Sequence, residues 1–254
     1  MKKYLIIAIC CLGAITNIHA QEFKVAKSTG KLVLNLSSAV VEGYDGNEII
    51  FGSEKSQAEM DPRAKGLRAI NGGGFVDNTG LGISVVEKGS TIEVNRVAAN
   101  VEVRIRVPKG VIVSFACRTV NAGNVVFKNM ENEIEISTEY NGIKLENVTG
   151  PLLVRAMYGS VEARFNEHIK GPISIASVYS TVDVAIPVDT KANIKLSSSH
   201  GTIMASSDLK IEMEKNSEND MISYGGLVNG KLNGGGTEFK LTSEYGKIYV
   251  RKTK

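Results

Sequence analysis

The sequence predicts an all-β protein, a parallel β-solenoid of the single-stranded, β-helix-like kind with coils of about 18–21 residues. An antiparallel β-sandwich is the alternative, because closely spaced turn signals would also suit one. Three observations point to strands. Five segments repeat one pattern, apolar side chains alternate with period two inside each, and no stripe at helical spacing runs to useful length.

In chain order, residues 1–20 stand apart. Met1-Lys2-Lys3 is a basic start, residues 4–15 are an apolar run, and Ile18-His19-Ala20 fits a small-residue cleavage site before Gln21. This is the makeup of a secretory signal peptide cleaved after Ala20. The run is too short for a membrane span, which needs about 20 apolar residues. Cys10 and Cys11 are poor lipid-attachment sites, since Ile9 and Cys10 stand where a small residue is expected. Residues 21–254 then form one β-strand-repeat domain.

Upstream of the repeats, strands are expected at 31–36, 39–43, 47–51, 81–86, 91–94 and 101–107. In the last, Val101, Val103, Ile105 and Val107 alternate with Glu102, Arg104 and Arg106, giving a core face and a solvent face. Val111, Val113, Phe115 and Cys117 continue the inward set, so Cys117 is a small buried hydrophobe. Clear repeats occupy 125–250. Their full copies are IEISTEYNGIKL (134–145), LLVRAMYGSVEA (152–163), ISIASVYSTVDV (173–184), IKLSSSHGTIMA (194–205) and FKLTSEYGKIYV (239–250). The last apolar positions, Leu145, Ala163, Val184, Ala205 and Val250, fall at steps of 18, 21, 21 and 45.

A partial copy at 125–136 overlays 143–154 at a shift of 18, and Gly150-Pro151 and Gly171-Pro172 mark connections. Proline is tolerated at the first residue of a strand, where its missing N–H costs little. One strand–turn–strand unit cannot bury its apolar face alone, whereas stacked units share a continuous core. Insertions at 55–80 and 206–237 interrupt the pattern, the second supplying the 45-residue step as about one coil plus a loop. Long loops of this kind are where partner contacts are sought.

With 43% hydrophobic and 22% charged residues in 254, disordered, collagen-like and disulfide-scaffold classes are excluded. The formal charge of +3 belongs mostly to the export signal. Removing residues 1–20 takes two Lys and no acid, leaving 28 bases against 27 acids. Two of three Cys leave with it, so Cys117 has no internal partner. Near-neutral charge and export exclude nucleic acid as a partner, and the mature chain carries no transmembrane helix.

VVEGYDGNEIIF (40–51), IRVPKGV (105–111) and the recurring Gly turns with NVTGP (147–151) resemble a family of secreted bacterial β-strand-repeat proteins, the "putative adhesins" of unknown function common in Bacteroidota. The resemblance spans roughly residues 30–250 and implies an extracytoplasmic, solenoid-like protein. It brings no catalytic residue. Ser180 and Thr181, where the turn would carry Gly, and the 206–237 insertion depart from the pattern.

Tyr140, Tyr158, Tyr179, His200 and Tyr245 share one repeat position. Stacked coils about 4.8 Å apart would align them in a ladder, either a ligand-binding platform for sugar rings or a corner stack with hydroxyls in water. Glu162 and Asp183 are likewise equivalent. A carboxyl pair about 5–5.5 Å apart is the spacing of retaining glycosidases, but the same position holds Lys144, Met204 and Tyr249 elsewhere, the mark of an unselective solvent face. His168 and His200 are the histidines left after cleavage, and no G-x-S-x-G elbow, zinc spacing or calcium loop is present, so no metal or cofactor is expected.

The expectation is a non-enzymatic exported surface, periplasmic or displayed outside, that binds a polysaccharide or an envelope protein or serves a structural role. A carbohydrate-active enzyme using Glu162 and Asp183, and a rod that self-associates through open strand edges, are the alternatives.

Overall fold

The computed structural model describes residues 22–53, 62–64, 66–99, 101–214 and 226–253. Residues 1–20, where a signal peptide is expected, lie outside the described residues with Cys10 and Cys11, as do parts of both insertions.

Among the described residues the chain is all-β, with one 3-10 turn at Pro62–Ala64. Strands β1 (Glu22–Val25), β2 (Gly30–Asn35), β3 (Ala39–Tyr44), β4 (Ile49–Gly52), β5 (Ile83–Lys88), β6 (Thr91–Arg96) and β7 (Arg104–Pro108) precede the repeats. Then come β8 (Val111–Cys117), β9 (Val125–Lys128), β10 (Ile134–Thr138), β11 (Ile143–Val148), β12 (Leu152–Ala156), β13 (Val161–Phe165), β14 (Ile173–Ser177) and β15 (Val182–Ile186). The last are β16 (Ala192–Ser198), β17 (Ile203–Ala205), β18 (Ile211–Met213), β19 (Gly226–Leu232), β20 (Thr237–Ser243) and β21 (Ile248–Lys252).

They form two large mixed sheets. The first runs β1-β4-β7-β3-β9-β11-β13-β15-β21-β17, the second β18-β19-β16-β20-β14-β12-β10-β8-β2-β6-β5. Neither closes into a barrel. Successive strands of a repeat enter opposite sheets, and each pair, such as β12 with β13, makes one rung.

Within the repeats all rung-to-rung pairing is parallel, and the repeat spacing is the register. Val125 pairs with Ile143, Ile143 with Val161, Val161 with Val182, and on the other sheet Ile134 with Leu152 and Leu152 with Ile173. Period two places the apolar set of both sheets inward, where Val113, Phe115, Phe127, Leu145, Val154, Val161, Ile175 and Leu241 join one buried cluster. The inward run Val101, Val103, Ile105, Val107 and the free thiol of Cys117 belong to it, as alternation required.

Spatial order departs from chain order at both ends. The rung β20–β21 inserts between β14–β15 and β16–β17, and β2–β3 inserts between β6–β7 and β8–β9. Within the 206–237 stretch, the described residues do not add a further parallel coil. Its described residues give β18 and β19, which run antiparallel along β16. At the opposite end β5 runs antiparallel on β6, β4 on β7, and β1 on β4. Antiparallel strands thus cover three of the four ends of the parallel ladders, which limits the edge available to another chain. The fourth ends on the three-residue β17.

Charge laces the outside of the first sheet. Register places Arg106, Glu42, Lys128, Glu146 and Arg164 side by side with alternating sign. Glu146 bonds Lys144 at 2.6 Å and Lys128 at 3.3 Å, and its carboxyl is held below the usual range chiefly by the Lys144 hydrogen bond. At connections between rungs, Glu131 takes Lys109 at 2.8 Å and Lys170 at 2.6 Å, and Lys109 also reaches Asp45 at 2.9 Å. The hydrogen bond from Lys109, then that from Lys170, lowers Glu131 from 4.5 to about 2. Because the folded value lies below the unfolded one, the contribution is fully present above 4.5 and is lost as pH falls toward 2.

Two predictions follow from packing and charge. Phe127→Ala empties a fully buried site and lowers urea stability by about 3–5 kcal/mol. The stability gap between wild type and Glu131→Gln, followed by urea melts across pH, stays level above 4.5 and narrows between 4.5 and about 2; a gap independent of pH in that window would show that the lysines do not hold this carboxylate.

Candidate functional site

The ladder residues lie in the turns between paired strands, where the chain passes from the second sheet to the first. Backbone bonds fix their register through the turn: Tyr158 N–H donates to Glu139 O, Tyr179 N–H to Met157 O, Tyr245 N–H to Val178 O and His200 N–H to Glu244 O, all at 2.7–2.9 Å. The rings follow at the same step. Tyr140 and Tyr158 have centroids 5.1 Å apart, Tyr158 and Tyr179 5.0 Å, Tyr179 and Tyr245 5.1 Å, and Tyr245 and His200 4.8 Å, with interplanar angles of 8–17°.

All five expected residues therefore meet, but not in chain order. Because β20–β21 is an inserted rung, Tyr245 sits between Tyr179 and His200. Rings are 39% exposed at Tyr140 and 53% at Tyr179 and Tyr245, so the ladder is a half-open ridge. Inside it the ring faces turn toward one another. Tyr158, Tyr179 and Tyr245 each have a ring stacked on both sides, so their faces are covered by neighbours, whereas Tyr140 and His200 end the ladder.

What keeps the turns so close is legible residue by residue. Before each ladder position comes a small buried residue, Thr138, Ala156, Ser177, Ser243 or Ser198. The Ser243 hydroxyl accepts from Gly246 N–H at 2.9 Å and donates to Ser180 O of the neighbouring rung at 2.8 Å. Ser198 repeats this with Gly201 N–H at 2.8 Å and Gly246 O at 3.1 Å. One hydroxyl closes its own turn and ties it to the next. After the ring comes Gly159, Gly246 or Gly201, where a Cβ would lie 1.7, 2.1 or 1.9 Å from the carbonyl oxygen below. Ser180 replaces that glycine yet keeps the turn, its N–H bonded to Ser177 Oγ at 3.2 Å.

Asn141 fills the same place in the first ladder turn. The neighbouring turn there is the longer 118–124 segment, and the buried Asn141 amide spans the gap by donating to Ser37 O and Gly123 O, both at 2.7 Å. Across the rung, Asn129 and Asn147 adopt positive φ of 53° and 56°, and Asn147 Nδ2 donates to Asn129 Oδ1 at 2.8 Å. Asparagine tolerates that backbone better than most residues.

Glu162 and Asp183 are direct register partners on β13 and β15, continuing to Tyr249 and Met204 on β21 and β17. Asp183 is engaged: Arg251 Nε donates to both its carboxylate oxygens at 2.8 and 3.0 Å, and the Arg251 guanidinium lies 4.8 Å from the Tyr249 ring centroid. Glu162, Asp183 and Arg251 line a groove of about 400 Å³ with Asn147, Arg164 and Lys252. Sequence reading did not single out Arg251; its step of one rung from Asp183 depends on the inserted order. His168 is an exposed loop residue away from both features. Among the described residues no group of three metal-ligating side chains gathers, and no helix is long and apolar enough to cross a membrane.

No family model matches the chain, and no curated protein matches it. A solved structure described as a "putative cell adhesion protein" from Clostridium sporogenes aligns over 92% of this chain and 100% of its own length, at 13% identity and a TM-score of 0.44.

Turn packing makes its own prediction. Gly246→Ala drives a methyl into the Ser180 carbonyl and lowers stability by about 1–3 kcal/mol, whereas Gly72→Ala, with open space around its Cβ, changes little. Equal melting temperatures for the two variants would contradict the close approach.

Proposed function

We propose that the protein is an exported, non-enzymatic β-solenoid serving as a binding or structural surface at the cell envelope, periplasmic or displayed outside. The observation that carries the reading is the in-register ladder of Tyr140, Tyr158, Tyr179, Tyr245 and His200 on a parallel stack. It presents one chemical motif repeated at one step, which suits a repetitive polysaccharide or an extended envelope protein. Supporting the export half are the basic start, apolar run and Ala20 site of the first twenty residues. Supporting the non-enzymatic half is the Asp183 carboxylate, which is clamped by Arg251 rather than left to a substrate.

Purified residues 21–254, screened against immobilised glycans and envelope proteins, bind without releasing reducing ends. Tyr158→Ala with Tyr179→Ala weakens binding by about tenfold, from the loss of two aromatic contacts. Cleavage of a polysaccharide that disappears in Asp183→Asn would replace this reading with the enzymatic one, and a sedimentation coefficient climbing with concentration would favour a self-assembling rod. Export is checked separately: N-terminal sequencing of the secreted or periplasmic protein starts at Gln21.

A further inference from the structure

The outer face of the second sheet differs from that of the first in one respect. On the first sheet, cations sit beside acids: Lys128 and Lys144 on Glu146, Arg106 on Glu22, Arg251 on Asp183. The second sheet begins the same way, with Lys31 on Glu135 at 2.6 Å. Further along, β16 and β20 pair Lys195 directly with Lys240. Both are exposed, and among the described residues neither has an ion pair. Like charges in register on neighbouring strands repel; the first sheet's like-charge pair, Glu162 with Asp183, is relieved by Arg251 on Asp183, whereas no acid pairs with Lys195 or Lys240 among the described residues.

The surroundings sharpen the contrast. On β12, β14, β20 and β16 the exposed outward residues are Leu153, Arg155, Glu238, Lys240 and Lys195, with Ser174, Ala176 and Thr242 half-buried between them, and the Glu238 carboxylate, still charged, accepts from the Asn193 amide at 2.7 Å. Arg155 also lacks an ion pair. Three cations without an acid partner thus stand against the one carboxylate of Glu238 on these strands, and the half-open ladder borders the face where they end, with Glu244 beside Tyr245.

We propose that this face binds an acidic polysaccharide lying across the strands, its carboxylates against Lys240, Lys195 and Arg155 and its hydroxyls against the tyrosine edges. The inference rests on the binding-surface reading above and gives it a ligand class. A glycan fits better than an acidic peptide for a structural reason. Strands β12, β14, β20 and β16 are paired on both sides, so the face offers no free backbone groups for an added strand and presents side chains alone. A polymer carrying one charge per sugar repeats that charge at a step close to the strand spacing.

The test uses affinity electrophoresis and calorimetry with residues 21–254 and three probes: polygalacturonate, neutral dextran and poly-glutamate. Polygalacturonate binds, weakens as salt rises, and loses about tenfold in the Lys195→Gln/Lys240→Gln variant, the effect of removing two exposed charge contacts. Lys128→Gln, on the other sheet, leaves binding unchanged, and thermal melts of both variants check that folding is intact. Dextran bound as tightly as polygalacturonate, without a lysine effect, overturns the acidic class while leaving the binding-surface reading standing. Poly-glutamate bound as well as polygalacturonate overturns glycan selectivity, and binding to none of the three overturns the proposal, with the wider glycan and protein screen then deciding the surface reading itself.

Discussion

Parallel backbone pairing holds adjacent strands at one fixed spacing, and nearly everything distinctive in this molecule obeys it. The rings recur once per rung, and the hydroxyl, asparagine and glycine contacts each link one rung to the next, because the hydrogen-bond ladder sets that step. The 4.8–5.1 Å ring separations are therefore a readout of the backbone rather than a preference of the aromatics. That spacing also bears on the residue types at the corner. Where two turns come closest no side chain fits, and Gly159, Gly246 and Gly201 keep that approach open, while Ser180 and Asn141 hold the same position in the other two turns. Ser243 and Ser198 turn the same closeness into hydrogen bonds.

The strands were legible because alternation leaves a period-two mark: Val101 to Val107 and Val111 to Cys117 are buried as their spacing required. Ladder membership was legible for the same reason. Order along the ladder was not. Equivalent units are interchangeable in their apolar faces, so pattern alone cannot distinguish a neighbour in sequence from a neighbour in space, and Tyr245 displaced His200 from the side of Tyr179. The short β1 (EFKV) lacked enough alternation to register, and β18 and β19 lie in a stretch whose Gly and charged residues read as loop. Their strand character comes from pairing with β16, a tertiary effect that local propensity does not carry.

The two outer faces show how one scaffold separates stability from surface chemistry. Inward positions are interchangeable aliphatics, so outward positions can vary without disturbing the core. The first sheet uses that freedom to alternate sign along Arg106, Glu42, Lys128 and Glu146. The second sheet leaves Lys195 and Lys240 together. Neither arrangement is required by the fold, since both sit on strands of the same parallel geometry.

The inserted rungs bear on how the molecule is assembled in time. Strands β14–β15 and β16–β17 are synthesised before β20–β21, yet the later pair must lie between them. A chain emerging from its N-terminus therefore cannot zip its rungs one after another to the end. It must hold β14 and β16 apart, or pair them wrongly and release them, until the final strands arrive. Contacts such as Asp183 with Arg251 join residues far apart in sequence, and topologies rich in such contacts fold slowly. Slow closure keeps the last rungs open during passage out of the ribosome, and a chain that crosses a membrane unfolded would complete them only on the far side.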